Sequence, residues 1–273
     1  MSDRDSAGRR RPAGDVVVLK FGGTSVASPR RVRIAARRLA AHAGRGRRVV
    51  AVVSAAAGAT DGILKRARRV TQGAEALSGE RARAAGRELD RALATGEDRS
   101  AALLALALNA LGVPARSLRG AEAGLGAEGD FGAGRIREVH PAALVALLDA
   151  GIVPVVSGFQ AARADGETVT LGRGASDATA VALAAALDAE CHIVTDVAAV
   201  FDRDPNRESS ARPFGRLDHG QLTALAAAGA KVVQAEAARL AERTGVQLRI
   251  YAWNAPVSGR GGTLVAMRPV EAA

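Results

Sequence analysis

Gly158 to Asp196 reads GFQAARADGETVTLGRGASDATAVALAAALDAECHIVTD, and this stretch predicts the fold of the whole chain. An apolar run, Ile152 to Val156, enters it as a buried strand, and an alanine-rich helix follows the turn at its centre. A second strand, His192 to Val194, delivers Thr195 and Asp196 at its carboxyl end. Strand, helix and strand in succession are typical of α/β proteins, which bind ligands at the carboxyl ends of their strands.

The central turn, Leu171 to Asp177, has the features of an anion site. Its glycines leave backbone N–H groups bare beside the positive end of the helix, which Ser176 or Asp177 is expected to cap. Arg173 adds a planar guanidinium that suits a carboxylate or a phosphate. Taken alone the motif is weak, because an ordinary loop before a helix has the same composition.

Length and composition limit the class of protein. The 273 residues suffice for one large α/β domain or two small ones, and 48% are hydrophobic but only 3% aromatic, so Ala, Val, Leu and Ile must build the core. Residues 1–14 are polar and rich in arginine, which predicts a disordered basic tail. No apolar run is long enough to span a membrane. The single cysteine, Cys191, is typical of a reducing compartment, so a cytoplasmic protein without a membrane partner is expected.

The net charge of +10 suggests an anionic partner. The basic residues are spread over several predicted helices without interleaved aromatics, which favours an acidic or phosphorylated small molecule over nucleic acid. The four histidines have no metal-ligand spacing, so no protein metal site is predicted. Only three of the 38 basic residues are lysine, namely Lys20, Lys65 and Lys231. A lysine kept against this bias is a candidate for a site that needs a compact charge, although Lys65 lies in an unremarkable basic helix.

The first predicted strand, Asp15 to Leu19, leads into Lys20-Phe21-Gly22-Gly23-Thr24-Ser25. The two glycines allow a ligand to approach the backbone closely, Lys20 can reach phosphate oxygens, and the hydroxyls can donate hydrogen bonds. The alternative is a tight turn with a solvated lysine.

Further polar candidates follow other predicted elements. Ser54 and Thr60 flank a small-residue loop after a strand at Val49 to Ser54. Glu97 is placed in the first turn of an apolar helix, where it either complements the helix dipole or holds an ammonium group. Lys231 is placed at a helix start that runs to about Thr244, where a bound anion would relieve the unfavourable charge. These elements predict a three-layer αβα sandwich with one mostly parallel sheet, in preference to two lobes joined near residue 150.

A glycine motif at Gly124 to Gly129 matches G-x-G-x-x-G by spelling. No apolar helix is predicted after it, so a dinucleotide site is rejected there.

Five segments in order resemble motifs of the aspartate kinases, a family within the amino acid kinase superfamily. The order and spacing of these segments match the family over roughly Val16 to Val265, which is nearly the whole chain. The segments are Lys20 to Ser25, Thr95 to Glu97, Leu171 to Asp177, Thr195 to Pro205 and Gly229 to Val232. The resemblance implies phosphorylation of the side-chain carboxylate of L-aspartate by ATP. It also implies that Mg²⁺ is held mainly by the nucleotide phosphates and water.

The resemblance assigns roles to residues of this chain. Catalytic roles fall to Lys20, Asp177 and Lys231, and the amino-acid pocket is formed by Ser54, Thr60, Glu97, Arg173 and Ser176. The nucleotide is contacted by Lys20, Gly22, Gly23, Ser25, Thr195, Asp196, Phe201, Asp204 and Lys231. The amino-acid-binding part is expected in residues 15–150 and the nucleotide-binding part in residues 151–266 of one catalytic domain, 15–273.

Departures from the family pattern lie on the nucleotide side, where Ala198, Ala199, Phe201, Asn206 and Gln234 replace the usual residues. No segment is long enough for the ACT regulatory domains common in the family, so feedback inhibition by lysine or threonine is not expected. The family implies a homodimer and leaves open a separate regulatory chain. Two alternatives stay open at this point: a kinase of another acidic amino acid or modified aspartate, and a non-catalytic ligand-binding protein on the same fold.

Overall fold

A computed structural model describes residues 15–72, 78–172, 174–203, 205, 207–229, 232–256 and 261–267. The predicted tail, 1–14, lies outside the described residues. Within them no helix combines the length and hydropathy that crossing a bilayer requires.

The described residues form twelve strands and seven α-helices. The strands are β1 (Val16–Phe21), β2 (Arg48–Val53), β3 (Ala115–Leu118), β4 (Leu125–Glu128), β5 (Arg135–Val139), β6 (Val153–Ser157), β7 (Gln160–Ala162), β8 (Thr168–Thr170), β9 (Glu190–Thr195), β10 (Arg216–Leu217), β11 (Leu248–Ala252) and β12 (Thr263–Val265). The helices are α1 (Pro29–Ala43), α2 (Ala59–Val70), α3 (Gly79–Ala110), α4 (Ala142–Asp149), α5 (Ala175–Ala186), α6 (His219–Ala227) and α7 (Ala235–Thr244).

Eight strands form the central sheet, in the order β10-β12-β11-β9-β1-β2-β6-β3. The six strands from β11 to β3 are parallel to their neighbours, and β12 runs antiparallel to β11. β1 is buried along almost its whole length because helices cover both faces of the sheet, as its continuous apolar run predicts.

The side chains of β1 alternate between two hydrophobic cores. Val17, Leu19 and Phe21 pack in a core shared with α1 and α3. Val16 and Val18 pack in a second core, which α4, α5, α6 and α7 help to build. The predicted three-layer αβα sandwich is therefore confirmed.

A second sheet holds the remaining strands, in the order β5-β4-β7-β8. The prediction of one continuous sheet was wrong, because these short strands pair with one another and not with the central sheet. The dinucleotide motif at Gly124 to Gly129 lies here, and β4 occupies it, which agrees with the rejection of that site.

Three local predictions were wrong. α3 runs through Thr95, Gly96 and Glu97 without a break, so Glu97 lies in the middle of a 32-residue helix and not in a first turn. Gly174, in the left-handed conformation (φ 77°), occupies the N-cap position of α5, and neither Ser176 nor Asp177 caps it through its side chain. The last long helix begins at Ala235 and not near residue 229, so the helix-end argument for Lys231 does not hold.

Candidate functional site

The carboxyl ends of the parallel strands meet at one edge of the central sheet. Phe21, the last residue of β1, is level with Val53 of β2 and Val194 of β9, and Ala252 of β11 is level with Thr195. Because parallel strands all end on the same side, the loops that follow them surround one region.

A buried ion pair lies at the centre of this edge. Lys20 Nζ is 2.5 Å from Asp177 Oδ1, and their side chains are 12% and 7% exposed. Lys20 is the fifth residue of β1 and Asp177 stands in the first turn of α5, where a carboxylate is favoured by the helix dipole. The backbone N–H of Gln234 donates to Asp177 Oδ2 at 3.3 Å. Two of the three residues to which the resemblance assigns catalytic roles are therefore in contact, and the roles themselves remain predictions.

The glycine loop, Gly22 to Val26, follows β1 and turns as one short 3₁₀ helix at Gly23–Val26. A Cβ on Gly22 would be 3.6 Å from Lys20 Nζ, and a Cβ on Gly23 would be 2.6 Å from the carbonyl oxygen of Ala55. Only glycine fits the second position without a shift of backbone. Ser25 is 2% exposed, and its hydroxyl has no hydrogen-bond partner among the described residues. A buried hydroxyl without a partner, in the loop that follows Lys20, fits a phosphate oxygen.

Glu97 is a buried carboxylate with one oxygen unpaired. Its Oε1 accepts a hydrogen bond of 2.8 Å from the backbone N–H of Ala55, and its Oε2 has no partner among the described residues. Gly96 makes the approach possible, since a Cβ there would be 2.8 Å from Ala55 Cβ. Burial raises the pKa of Glu97 from 4.5 to about 7, against the lowering effect of the Ala55 hydrogen bond. Such a site can accept a cation, which would relieve the cost of the buried charge.

Ser54 and Ser176 border the same region. The N–H of Ser54 donates to Phe21 O at 3.1 Å, which ties the loop after β2 to the end of β1. Ser176 is 5% exposed and packs on Gly158, where a Cβ would be 2.7 Å from the serine Cβ. Gly158 in turn donates its N–H to Val53 O at 2.9 Å.

The amides at the start of α5 are partly engaged. The N–H groups of Ala175 and Asp177 donate to the carbonyls of Gly172 and Gly174, at 3.4 and 3.2 Å. The expectation of bare amides beside this helix is therefore wrong for these two residues.

The remaining described candidates are Thr195, Asp196, Phe201 and Thr60. Thr195 ends β9, and its hydroxyl donates to Asp196 Oδ1 at 3.1 Å. Phe201 pairs with Pro213 in an isolated antiparallel bridge, and Thr60 lies half-buried in the first turn of α2. Their places in the site remain predictions. Arg173, Asp204 and Lys231 lie outside the described residues.

Sequence reasoning missed several positions that shape the site. Ala55 and Gln234 act through backbone N–H groups, which no side-chain pattern reveals. Phe159 has a φ of 67°, rare for a residue with a bulky side chain, and its carbonyl accepts from the N–H of Leu171 at the start of the turn before α5. Its position two residues after a buried strand was the one available signal.

Metal ligands do not cluster in the described part of the chain, where no three His, Cys, Asp or Glu side chains are grouped to hold an ion.

The fold and the site define an α/β protein with a buried ion pair and a glycine loop where its parallel strands end. Residues 15–252 match the model of the amino acid kinase family. The chain belongs to the amino acid kinase family.

Its similarity to individual proteins extends over most of its length. An aspartokinase of Thermus thermophilus is 40% identical over 251 residues, which are 92% of this chain and 59% of the relative. The aspartate kinase of Synechocystis superposes with a TM-score of 0.75 at 35% identity, over 94% of this chain and 40% of that one. Escherichia coli aspartokinase III, solved with aspartate and ADP, superposes with a TM-score of 0.79 at 26% identity, over 94% and 65%. This chain thus spans less than two thirds of each relative.

Proposed function

We propose that this chain transfers the γ-phosphoryl group of ATP to the side-chain carboxylate of L-aspartate, giving ADP and 4-phospho-L-aspartate. One carboxylate oxygen attacks the γ-phosphorus, the bond to the β,γ-bridging oxygen breaks, and ADP leaves with that electron pair. The observation that carries the proposal is that a cationic site, around Lys20, and an acidic site, around Glu97, lie on one edge of the sheet. The glycine loop contacts Ala55 on one side, and Glu97 contacts Ala55 on the other.

The cationic side of this edge suits the nucleotide. Phosphoryl transfer needs positioning and charge neutralisation more than covalent chemistry from the protein. Lys20 supplies a compact charge beside a loop that glycine keeps open, and Asp177 fixes the direction of its ammonium group. The unpaired hydroxyl of Ser25 and the space that Gly22 leaves beside Lys20 Nζ fit phosphate oxygens, so the residues present are compatible with bound ATP. We assign Lys231, Asp204, Thr195, Asp196 and Phe201 to the same nucleotide on the resemblance alone.

Magnesium would arrive with the nucleotide and screen the charge of its phosphates. The resemblance implies coordination mainly by phosphate oxygens and water.

The acidic side suits a substrate with a free amino group. The unpaired Oε2 of Glu97 can accept from an ammonium group, and the carboxylate is held in place by Ala55. We assign Ser54, Thr60 and Ser176 to this pocket, and Arg173 to the substrate's carboxylate, by resemblance. The aspartate and ADP bound to the E. coli relative support both halves of the assignment.

A coupled ADP-release assay over a panel of acids tests the proposal. L-aspartate should be the best acceptor, and N-acetyl-L-aspartate should be poor because it lacks the ammonium group. Equal turnover of the acetylated acid, or a preference for glutamate or acyl-glutamate, would transfer the assignment to a different acidic substrate. No aspartate-dependent ADP release at all would favour a non-catalytic binding protein.

The homodimer, a separate regulatory chain, the cytoplasmic location and the division of binding roles at residue 150 remain predictions. Light scattering of the purified chain measures the first of these directly.

A further inference from the structure

Arg31 is a cation in the first turn of α1, where the helix dipole disfavours positive charge. No acidic residue accompanies it in that turn. Its Nη1 donates to the carbonyl of Thr24 at 2.7 Å, and its guanidinium carbon lies 4.5 Å from the centroid of the Trp253 ring. Its position is therefore stabilised by a carbonyl of the glycine loop and by an aromatic face.

Trp253 is held from three directions just after β11. Its backbone N–H donates to the carbonyl of Thr195 at 2.7 Å, and its backbone carbonyl accepts from Arg38 Nη2 at 3.1 Å. The Arg31 guanidinium stacks on its ring. Arg38 is 4% exposed and also stacks over Tyr251, at 5.0 Å from that ring. Arg31 and Arg38 are seven residues apart, so they lie on one face of α1.

These contacts form a continuous bridge between two loops of the site. It runs from Thr24, through Arg31 and Trp253, to Thr195. The first loop follows β1 and the second follows β9, and these strands are neighbours in the sheet. Both loops are assigned to the nucleotide, as is Thr195 itself, whereas Arg31 and Trp253 are assigned to no ligand. The backbone hydrogen bond from Gly22 N–H to Val194 O also joins the two segments, and losing the Arg31–Trp253 contact would remove the link through side chains.

We propose that Arg31 and Trp253 are positioning residues that set the spacing of the two nucleotide loops. This inference rests on the proposed function, since it takes the ligand between the loops to be ATP. They act on nucleotide affinity and leave the amino-acid pocket, built around Glu97 and Ala55, unaffected.

Four variants and one control test this role. Arg31→Gln removes the cation, Trp253→Ala removes the aromatic face, and Trp253→Phe keeps a smaller face. The control is Arg30→Gln, which removes an exposed arginine from the same turn. The fourth variant, Arg31→Lys, keeps the charge but not the planar fork. KM for ATP and for aspartate are measured separately, and the dissociation constant of Mg-ADP is measured by calorimetry.

Arg31→Gln and Trp253→Ala should each raise the KM for ATP and the dissociation constant of Mg-ADP roughly fivefold to tenfold. KM for aspartate should change less than about twofold, because the Ala55–Glu97 hydrogen bond and the approach of Gly23 to Ala55 do not involve the side chains of Arg31 or Trp253. Trp253→Phe and Arg31→Lys should fall between the wild type and these variants. Equal rises in both KM values, or nucleotide affinity equal to that of Arg30→Gln, would overturn the proposal.

Hydrogen exchange separates this inference from the proposed function. If the wild type binds no nucleotide, the proposed function fails, and the rate of amide hydrogen exchange alone then tests the bridge. Amides of residues 23–27 and 195–197 should exchange faster in Arg31→Gln than in Arg30→Gln. Identical exchange in the two variants would overturn the bridge whatever the activity.

Discussion

Replacing Glu97 by glutamine should make the protein more stable at high pH and a poorer enzyme at the same time. The free energy of unfolding depends on this residue because its proton is lost near pH 4.5 in the unfolded chain and near pH 7 in the folded one. The folded state therefore loses stability as pH rises from 4.5 to 7, and the loss is complete above pH 7. Ionising the buried carboxylate costs about 3 kcal/mol there.

The glutamine variant does not ionise, so it escapes that cost. Its amide oxygen can still accept from the Ala55 N–H, while its NH₂ group is left buried without a partner, at about 1 to 3 kcal/mol. This last term is the same at every pH. The stability of the variant relative to wild type should therefore be about 2 to 3 kcal/mol more favourable at pH 8 than at pH 5.

The catalytic efficiency of the glutamine variant with aspartate should fall. Without the carboxylate, the substrate ammonium loses a charge-assisted hydrogen bond, so KM for aspartate should rise roughly 10- to 100-fold. In the wild type, kcat/KM for aspartate should fall as pH drops below about 7, because protonated Glu97 cannot accept from the ammonium group.

Asp90 supplies the matched control, since it is a second buried carboxylate on α3. It is fully engaged, accepting from the N–H and hydroxyl of Thr170 and from the N–H of Gly132, each at 2.8 Å. Asp90→Asn should lose about 2 kcal/mol or more at both pH values. Urea unfolding at pH 5 and pH 8 measures both variants. A pH-independent stability difference for Glu97→Gln, or an unchanged KM for aspartate, would refute the reasoning.

Three further changes have defined outcomes. Lys20→Met should lower kcat roughly 10²- to 10³-fold by removing the charge that faces the phosphates, whereas exposed Lys65→Met should leave kcat unchanged in the same assay. Gly23→Ala should lower the melting temperature and the nucleotide affinity, because its Cβ would be 2.6 Å from a backbone carbonyl oxygen. Gly62→Ala is the control, because Gly62 lies inside a helix with open space around it, and its melting temperature should match or exceed that of the wild type. A higher melting temperature for Gly23→Ala than for Gly62→Ala in calorimetry would contradict this reading. Burial and the neighbouring His192 lower the pKa of His42 from 6.5 to about 4. As the pH falls from 6.5 to 4, the unfolded chain therefore binds that proton before the folded chain does, and the folded state loses stability, a loss that His42→Gln should remove. The same dependence of stability on pH in the variant and the wild type would count against it.

The sequence predicted the central layer and its ligand edge because those features depend on local pattern. The uninterrupted apolar run in β1 indicates a strand covered on both faces, and Lys20 after it marks the carboxyl end. Asp177 was found because it opens a helix directly after a glycine turn. These signals all come from residues within a few positions of one another.

The misplaced elements depend on contacts between distant segments. Gly96 suggested a helix boundary, but it is glycine because Ala55 packs against that point of a continuous helix. Gly174 at the start of α5 lies under Gln234, since a Cβ there would be 2.1 Å from Gln234 Cγ. The second sheet is built from strands of three to five residues, whose pairing partners no periodicity reveals.

Formation of an acyl phosphate on aspartate tests the central claim most directly. The purified chain, incubated with Mg-ATP, L-aspartate and hydroxylamine, should give aspartyl hydroxamate and ADP in equal amounts, and Lys20→Met should give almost none. ADP without hydroxamate would show that the phosphoryl group goes to water or to another acceptor, and the claim that this sheet edge joins ATP to a carboxylate would be contradicted.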